Sequence, residues 1–291
     1  GPVKNMDSFY IVTNKDKDPE FQTTRFVKEY LEKRGKKCTI RENPAEGGGS
    51  YKYTDASVIP EDVDCVLVLG GDGTLLQASR DLTERDLPLL GINMGTLGYL
   101  AEVDRRGIEP ALERLLAGDY QLVSRMMIYG EVYHQGKKVM EDLALNDIVI
   151  GRYGRLRIID FKIYVNGEYL NRYSADAMVV STPTGSTGYS LSAGGPIVSP
   201  EASLLLMTPV APHTLNTRSI ILPDDAEITV EMLPGHSRSG DGAEVTFDGD
   251  TSARLTCTDK VVIRKAAKKT RLIKINQISF LEVLRTKMNG Q

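Results

Sequence analysis

The sequence predicts a fold of the α/β plus β class: an α/β domain built on a parallel sheet, then an antiparallel β-sandwich. In roughly the first 120 residues, apolar runs alternate with segments of helical periodicity, which is typical of a parallel sheet covered by helices. From 121 to 275, short alternating runs follow one another without amphipathic helices, as in a sandwich. A chain of 291 residues has room for both domains. We therefore expect domains at 6–120 and 121–275, followed by a C-terminal segment at 276–291.

The first domain is expected to begin with a strand at 9–13, where the residues are apolar and β-branched. A helix at 19–34 follows, because Val27, Tyr30 and Leu31 recur at helical spacing and Gly35 provides its end. The stretch 44–54 contains three consecutive glycines and no apolar periodicity, so it is expected to be a loop. The remaining elements are strands at 37–41, 63–69 and 87–92, a helix that includes 74–78, and a helix at 108–118.

The segment Gly-Gly-Asp-Gly-Thr at 70–74 directly follows the apolar run 63–69. Glycines there let a ligand approach the backbone, and the following helix would point free N–H groups at an anion. A carboxylate about 4 Å from a phosphate charge is repelled by roughly 1 to 4 kcal/mol. Asp72 at the centre of such a loop therefore indicates a task, either holding Mg²⁺ or accepting a proton from a hydroxyl nucleophile. The structural alternative is an Asx turn or a helix cap.

A second glycine loop, Asn-Met-Gly-Thr-Leu-Gly at 93–98, follows the predicted strand at 87–92. Because ligands of parallel α/β sheets bind beyond the carboxyl ends of the strands, both glycine loops are expected to face one crevice.

The second domain is expected to consist of short strands. Asn166-Gly167 is a strong hairpin signal between two of them. The segment 279–288 returns to a helical pattern and could pack on either domain. The clearest strands are predicted at 127–134, 156–165, 177–182, 228–233 and 261–265.

A second candidate site is the segment Thr-Pro-Thr-Gly-Ser-Thr-Gly-Tyr-Ser at 182–190, directly after a predicted strand. Hydroxyls alternating with glycines suit ribose hydroxyls, a pyrophosphate or a carboxamide, although a turn with a helix cap is the structural alternative. Asn146-Asp147 lies between two apolar runs. A polar pair inside a strand is unfavourable, so it implies a ligand or a bulge. On their own evidence, Asp176 and Asp248 look like turn residues.

Composition narrows the class of protein. Hydrophobic residues make up 41%, charged residues 26%, and the net charge is −3, so neither a nucleic acid nor an anionic membrane is expected as a partner. The basic stretch 264–274 is expected to be a solvated face. No apolar run approaches the ~20 residues of a membrane span and no signal peptide is visible, so the expected location is cytoplasmic. The cysteines and histidines do not show the spacing of zinc ligands, and the cysteines do not form a disulfide framework. These residues are Cys38, Cys65, Cys257, His134, His213 and His236.

Together, these segments resemble the NAD kinase family, in the family's order and spacing and over nearly the whole chain from 9 to 284. The glycine-aspartate segment alone is less specific, since diacylglycerol and sphingosine kinases of the same superfamily carry a similar one. The long Thr-Pro-Thr-Gly-Ser-Thr string separates the families. The matching segments are GGDGTLL at 70–76, NMGTLGYL at 93–100, LND at 145–147, TPTGSTGYSLSAGGP at 182–196 and FDG at 247–249.

The resemblance implies a fold and an activity. Members have an α/β domain followed by a β-sandwich, with a C-terminal segment that returns to the first domain, and assemble as homodimers or homotetramers. They transfer the γ-phosphoryl group of ATP to the 2′-hydroxyl of the adenosine ribose of NAD, giving NADP, with a divalent metal that we expect to be Mg²⁺. The partners implied are NAD and ATP.

The resemblance also implies roles for individual residues. Asp72 matches the general base, and Gly71, Gly73 and Thr74 match the positions that line the phosphates. Tyr99 falls where an aromatic ring packs on adenine. No metal ligand is assigned. The other positions implied to bind the cofactor are Leu97, Asn146, Asp147, Asp176, Thr184, Thr187, Gly188, Tyr189, Ser192 and Asp248.

Three departures from the family pattern are visible. The Asn-Glu pair that holds adenosine is here Asn146-Asp147, one methylene shorter. The usual Asp-Gly is Asp176-Ala177, which puts in doubt the placing of Asp176 near the nicotinamide end or a neighbouring subunit. The frequent alanine after Ser-Thr is Gly188.

Two other functions are compatible with parts of the sequence. A lipid kinase would share the segment 70–74 but should also need an apolar acyl cleft and affinity for membranes, and no basic amphipathic entry helix is evident. A non-catalytic dinucleotide-sensing module would bind NAD without forming a product. Neither a P-loop nor a strand-linked Gly-x-Gly-x-x-Gly occurs in the sequence, which argues against P-loop and dehydrogenase chemistry.

Overall fold

The computed structural model describes residues 5–40, 54–96, 98–154, 158–234, 242–276 and 278–290. Of the loop expected at 44–54, only residue 54 is described. The first two residues of the strand expected at 156–165 lie outside the described residues, and so does Leu97. The chain divides into two compact units, unit 1 at 1–124 with 270–291, and unit 2 at 125–269. Both divisions fall inside long strands, so no change of composition marks them in the sequence.

Unit 1 contains a parallel sheet with the strand order β2-β1-β3-β4-β5. The two central strands, β3 and β4, are buried along their whole length, as expected for a sheet covered on both faces. The strands are β1 (Ser8–Thr13), β2 (Lys37–Ile40), β3 (Cys65–Gly70), β4 (Leu89–Asn93) and β5 (Val103–Asp104).

Helix α1 (Gln22–Glu32) lies between β1 and β2, α2 (Asp72–Asp81) lies between β3 and β4, and α3 (Ile108–Leu116) follows β5. Helix α1 buries Val27, Tyr30 and Leu31, the residues whose spacing predicted it. Gly35 follows it with φ +76°, the left-handed conformation that glycine adopts readily. Helix α2 begins at Asp72, so the carboxylate of the glycine loop belongs to the first helical residue.

Unit 2 is a sandwich of two sheets, as predicted. One sheet has the antiparallel order β13-β12-β11-β8-β15-β16, and strands β10-β9-β14-β17 follow one another in the other. The strands are β6 (Gln121–His134), β7 (Lys137–Ala144), β8 (Asp147–Tyr153), β9 (Ile159–Val165), β10 (Glu168–Ala175), β11 (Ala177–Ser181), β12 (Leu204–Val210), β13 (Ile220–Pro223), β14 (Ile228–Met232), β15 (Gly242–Phe247), β16 (Thr251–Leu255) and β17 (Lys260–Lys274).

Apolar side chains from both sheets form the core of unit 2. Ile148 and Met178 contribute from the first sheet, and Phe161 and Ile228 from the second, and all four are fully buried. The Asn166-Gly167 turn joins β9 to β10 with positive φ at both residues, 51° and 80°, as the sequence predicted. A short helix, α4 (Tyr189–Ser192), lies in the segment after β11.

The C-terminal segment belongs to unit 1, which confirms the return that the family resemblance implied. Leu272, near the end of β17, pairs in parallel with Leu89 of β4. The amides of Ile275 and Asn276 donate to the Glu102 carboxylate at 2.9 and 2.8 Å. Helix α5 (Phe280–Met288) follows.

Two further observations bear on the sequence-based expectations. The three cysteines are free thiols. Among the helices of the described residues, none is long and apolar enough to cross a bilayer.

Candidate active site

The phosphate-type loop lies between β3 and α2 in unit 1. Gly70 ends the strand, and a Cβ atom there would overlap the hydroxyl of Thr74, so this glycine is required by packing. Cβ atoms at Gly71 and Gly73 would meet no described atom within 4 Å. The space beside these two glycines is therefore open to a ligand.

Asn14, which sequence analysis missed, borders this loop. Its side-chain amide donates to Thr74 Oγ1 at 3.2 Å, and its main-chain amide donates to Leu69 O at 2.8 Å. A signal was present in the sequence, because Asn14 directly follows β1 and therefore lies at the same edge of the sheet as the glycine loop.

The carboxylate of Asp72 accepts hydrogen bonds from the main chain of residues 99–101, directly after the second glycine loop. Oδ2 accepts from the amide of Tyr99 at 2.7 Å, and Oδ1 accepts from the amides of Leu100 and Ala101 at 3.1 and 3.4 Å. A Cβ atom at Gly98 would overlap this carboxylate, so the close approach requires glycine. Asp72 thus joins the two glycine loops that the sequence placed in one crevice.

Asn93 braces the second loop from inside and was also missed by sequence analysis. It is almost fully buried, its side-chain amide donates to Thr96 O at 2.6 Å, and its oxygen accepts from the Gly95 amide at 2.9 Å. Tyr99 is half-buried beyond this loop. Burial, and then the Asp72 carboxylate, raise the pKa of its hydroxyl. The Lys287 ammonium of α5 lies 5.5 Å from the centre of the Tyr99 ring.

In unit 2, Asp248 holds the chain at 145–147. Oδ2 accepts from the amide of Leu145 at 2.9 Å, and Oδ1 accepts from the amides of Asn146 and Asp147 at 2.7 and 3.1 Å. Asp248 and Gly249 have φ values of 53° and 69° in the turn between β15 and β16. The turn predicted at this position is confirmed, and the Asp248 carboxylate also holds the chain at 145–147.

Asn146 lies in a bend and Asp147 is the first residue of β8, so the prediction of a polar pair inside one strand was wrong. A bend separates β7, which ends at Ala144, from β8, which begins at Asp147. Asp147 is 6% exposed. Burial, and then the neighbouring Asp248 carboxylate, raise its pKa to about 7. Its carboxyl group is therefore partly protonated near neutral pH and can donate as well as accept a hydrogen bond.

The hydroxyl-rich segment after β11 packs against the same bend. The amide of Thr182 donates to Asn146 O at 2.9 Å, its hydroxyl donates to Leu145 O, and the Gly185 amide donates to the Thr182 hydroxyl at 3.1 Å. A Cβ atom at Gly185 would overlap the Asn146 carbonyl, whereas one at Gly188 would lie 3.6 Å from Asn146 Nδ2 and 3.9 Å from Asp147 Oδ2. The structure thus brings Asn146, Asp147, Gly188 and Asp248 together.

The hydroxyls of this segment fall into two groups. Buried Ser186 accepts from the Val198 amide at 2.9 Å, and the Arg125 guanidinium donates to buried Thr184 at 3.3 Å. Thr187, Tyr189 and Ser192 are partly or fully exposed. Within the described residues, their side chains form no hydrogen bond. The second group can therefore bind a ligand, while the first holds the segment.

Asp176 and Tyr189 line a shallow cavity of about 250 Å³ on unit 2, together with Arg152 and Glu244. Asp176 lies between β10 and β11, and its Oδ1 is 3.9 Å from Nε of Arg152. Burial, followed by the Asp176 carboxylate, raises the pKa of the Tyr189 hydroxyl.

Two family models match the chain. The ATP-NAD kinase N-terminal domain matches residues 9–120, and the ATP-NAD kinase C-terminal domain matches residues 145–275. The chain belongs to the NAD kinase family. This confirms the resemblance on which the residue roles were predicted.

Individual NAD kinases agree with this. The chain is 49% identical to the NAD kinase of Lachnospira eligens over 293 residues, which cover 97% of this chain and 100% of the relative. It is 43% identical to that of Lachnoclostridium phytofermentans, with 98% and 100% covered.

Two solved NAD kinase family structures share the fold. A yeast NADH kinase complexed with NADH has a TM-score of 0.80 at 22% identity, covering 99% of this chain and 89% of that one. An NAD kinase from Archaeoglobus fulgidus in complex with ATP has a TM-score of 0.76 at 22% identity, covering 98% and 99%.

Proposed function

We propose that this protein transfers the γ-phosphoryl group of ATP to the 2′-hydroxyl of the adenosine ribose of NAD and releases NADP. Membership of the NAD kinase family over both domains carries the proposal. The hydrogen-bonded Asp72 beside two glycines that open onto empty space supports the chemistry.

Asp72 is assigned the role of general base. A ribose hydroxyl is a poor nucleophile, and a carboxylate of ordinary basicity is too weak to deprotonate it outright. The carboxylate can orient the hydroxyl and take its proton as the P–O bond forms, which suits a loose transition state for phosphoryl transfer. A carboxylate has about four acceptor positions, and three are used by the amides of residues 99–101. The remaining one, on Oδ2, is assigned to the acceptor hydroxyl.

The other contacts are divided between the units. We assign the phosphates to Gly71, Gly73 and Thr74 of unit 1, where a phosphate can meet free N–H groups of the first turn of α2. Tyr99 of the same unit is assigned to the adenine ring.

In unit 2 we assign the adenosine moiety to Asn146 and Asp147. The group that contacts NAD is Thr184, Thr187, Gly188, Tyr189 and Ser192, with Asp176 towards the nicotinamide end. The Arg125 guanidinium already donates a hydrogen bond to the Thr184 hydroxyl, so a ligand that contacts this hydroxyl would bind beside that guanidinium.

The residues present fit a magnesium ion that arrives with the triphosphate. No group of three His, Cys, Asp or Glu side chains suited to a metal occurs in the described part of the chain. Mg²⁺ keeps several waters and is usually held by one or two carboxylates plus substrate phosphates. When bound, it would neutralise phosphate charge. Since three acceptor positions of Asp72 are taken by amides and the fourth is assigned to the acceptor hydroxyl, the substrate phosphates and water would hold the ion.

One assay tests the activity: NADP formation from NAD or NADH with ATP, GTP or polyphosphate as donor, with and without Mg²⁺. Formation of NADP from NAD and ATP is expected, with loss on chelation of the metal. Binding of NAD without any ATP-dependent product would instead identify a sensing module. Phosphorylation of diacylglycerol in vesicles, with NAD unchanged, would identify a lipid kinase.

We further infer that the protein is a cytoplasmic homodimer or homotetramer. Among the strands that the structure describes, β10 ends its sheet, and its side chains Tyr169 and Leu170 are 53% and 39% exposed. An edge strand with exposed apolar side chains supports association with a second copy. Light scattering coupled to gel filtration tests this, and a monomer at micromolar concentration would contradict it.

A further inference from the structure

A lysine outside the predicted site lies against the second glycine loop. Lys17 follows β1, and its ammonium nitrogen lies 3.0 Å from the position that a Cβ atom would take at Gly95. The side chain is exposed. No carboxylate of a residue that the structure describes lies within 4.0 Å of this nitrogen. An exposed cation that rests on a glycine, with no acid beside it, is available to an anionic ligand.

The loop under Lys17 is continuous with the phosphate-type loop. The amide of Met94 donates to the carbonyl of Gly70 at 2.9 Å, so the residue before Gly95 is hydrogen-bonded to the residue before Gly71. Lys17 therefore lies against a loop that is hydrogen-bonded to the phosphate-type loop of the same unit.

A cavity of unit 1 is lined by the arginine that bonds the main chain of Lys17. The Arg105 guanidinium donates to Lys17 O at 3.2 Å. Arg105 and Arg106 line a cavity of about 630 Å³, together with Phe26, Gln22 and Glu109. Small-molecule sites commonly enclose about 300 to 1,000 Å³. The Phe26 ring is 43% exposed and presents an apolar wall.

We propose that this cavity binds the nucleoside of the ATP donor. Lys17 and Arg105 then bind its triphosphate, which extends to Gly71 and Gly73. The inference rests on the proposed kinase activity. A triphosphate brings several negative charges to a loop that itself contains Asp72, so cations must come from outside the loop. Lys17 and Arg105 supply them, and Arg106 is assigned to the nucleoside. Glu109 is the single acid among the described residues that line the cavity. The ring of Phe26 and the amide of Gln22 suit a purine base.

The test compares steady-state NADP formation by the full chain and by Lys17→Ala, Arg106→Ala and Phe26→Ala. The control is Lys33→Ala, an exposed lysine at the opposite end of α1. Tripolyphosphate, measured as an inhibitor competitive with ATP, separates phosphate from nucleoside contacts. Lys17→Ala should raise the KM for ATP and the inhibition constant for tripolyphosphate about tenfold or more, because both anions lose a charged contact.

Arg106→Ala and Phe26→Ala should raise the KM for ATP about fivefold while changing the tripolyphosphate constant less than twofold, since tripolyphosphate has no base. The KM for NAD should stay within about twofold in all variants, and Lys33→Ala should match the wild type.

An unchanged KM for ATP in both Arg106→Ala and Phe26→Ala would overturn the cavity as the nucleoside site. A parallel rise in the KM for NAD in Lys17→Ala would show that Lys17 does not act on the donor alone, which also contradicts the proposal. If the wild type formed no NADP, the proposed function would fail by itself. Equilibrium binding of a non-hydrolysable ATP analogue to the same variants would then still decide the cavity assignment.

Discussion

Unit 1 and unit 2 each hold one candidate binding segment with one aspartate, and the hydrogen bonds are closely alike. Asp72 accepts the amides of residues 99–101, and Asp248 accepts those of residues 145–147. In both, one carboxylate oxygen takes two amides and the other takes one. The surroundings differ. Beside Asp72 the glycines open onto space that no described atom fills, whereas Asp248 lies beside the nearly buried acid Asp147.

Hydrogen bonds alone therefore do not distinguish an aspartate that acts in catalysis from one that only positions the chain. Each carboxylate accepts three main-chain amides. What separates them is their surroundings: the glycines next to Asp72 open onto space that a phosphate and a hydroxyl can enter, whereas Asp248 lies in a turn beside another acid. We therefore expect loss of Asp72 to act mainly on turnover and loss of Asp248 mainly on NAD binding.

The largest effect is expected for Asp72→Asn. Loss of the proton acceptor should lower kcat by about 10²- to 10⁴-fold, which is the usual size of general-base catalysis. The dissociation constant for NAD should change little, because the adenosine contacts are assigned to unit 2. The measurements are steady-state kinetics and NAD binding by calorimetry.

Asp72→Asn also replaces an acceptor oxygen with an amino group that faces a main-chain N–H. Loss of that clamp should lower the thermal midpoint. Asp72→Glu is the matched control, because it keeps the negative charge but moves the carboxylate by one methylene. A kcat close to that of the wild type in Asp72→Asn would remove Asp72 from the base role, whatever the midpoint.

The glycines of the two regions should separate activity from stability. Gly185→Ala forces a Cβ atom onto the Asn146 carbonyl, so it should destabilise the protein by about 3 kcal/mol or more. Gly71→Ala meets no described atom within 4 Å and should leave the thermal midpoint within about 1–2 °C while raising the KM for ATP. Thermal unfolding and donor kinetics on both variants check this. A normal KM for ATP in Gly71→Ala would mean that the phosphates do not approach this glycine.

Asp248→Asn is expected to have a smaller effect of a different kind. The variant leaves at least one of three amides without an acceptor, which should cost about 1–3 kcal/mol of stability. Since those amides set the positions of Asn146 and Asp147, the KM for NAD should rise about tenfold while kcat falls less than in Asp72→Asn. A fall in kcat with an unchanged KM for NAD would instead place Asp248 in the chemistry and abolish the distinction between the two aspartates.

Sequence patterns predicted the order of strands and helices, because apolar periodicity and glycine punctuation are local properties. They also located Asp72 and the hydroxyl-rich segment. They could not predict what either aspartate bonds. The partners of Asp72 lie 27 to 29 residues away and those of Asp248 101 to 103 residues away, so these bonds exist only after the sheets form. Asn14 was missed for the same reason, since its partner Thr74 lies 60 residues away. Asn93 was missed although its bonds to Gly95 and Thr96 are local.

The smallest expected effect concerns the acid that distinguishes the Asp248 region. Because the pKa of Asp147 is raised to about 7, the folded state holds its proton at pH values where the unfolded chain, with a pKa of about 3.9, has released it. This group therefore lowers stability as pH rises from about 4 to 7. Asp147→Asn removes the penalty, so its stability relative to the wild type should improve by about 1–2 kcal/mol between pH 6 and pH 8. Chemical denaturation at both pH values measures this, with the exposed Asp225→Asn as the control. A stability difference that does not vary with pH would mean that Asp147 is ionised like a surface acid, and the two regions would then differ only in the space beside their aspartates.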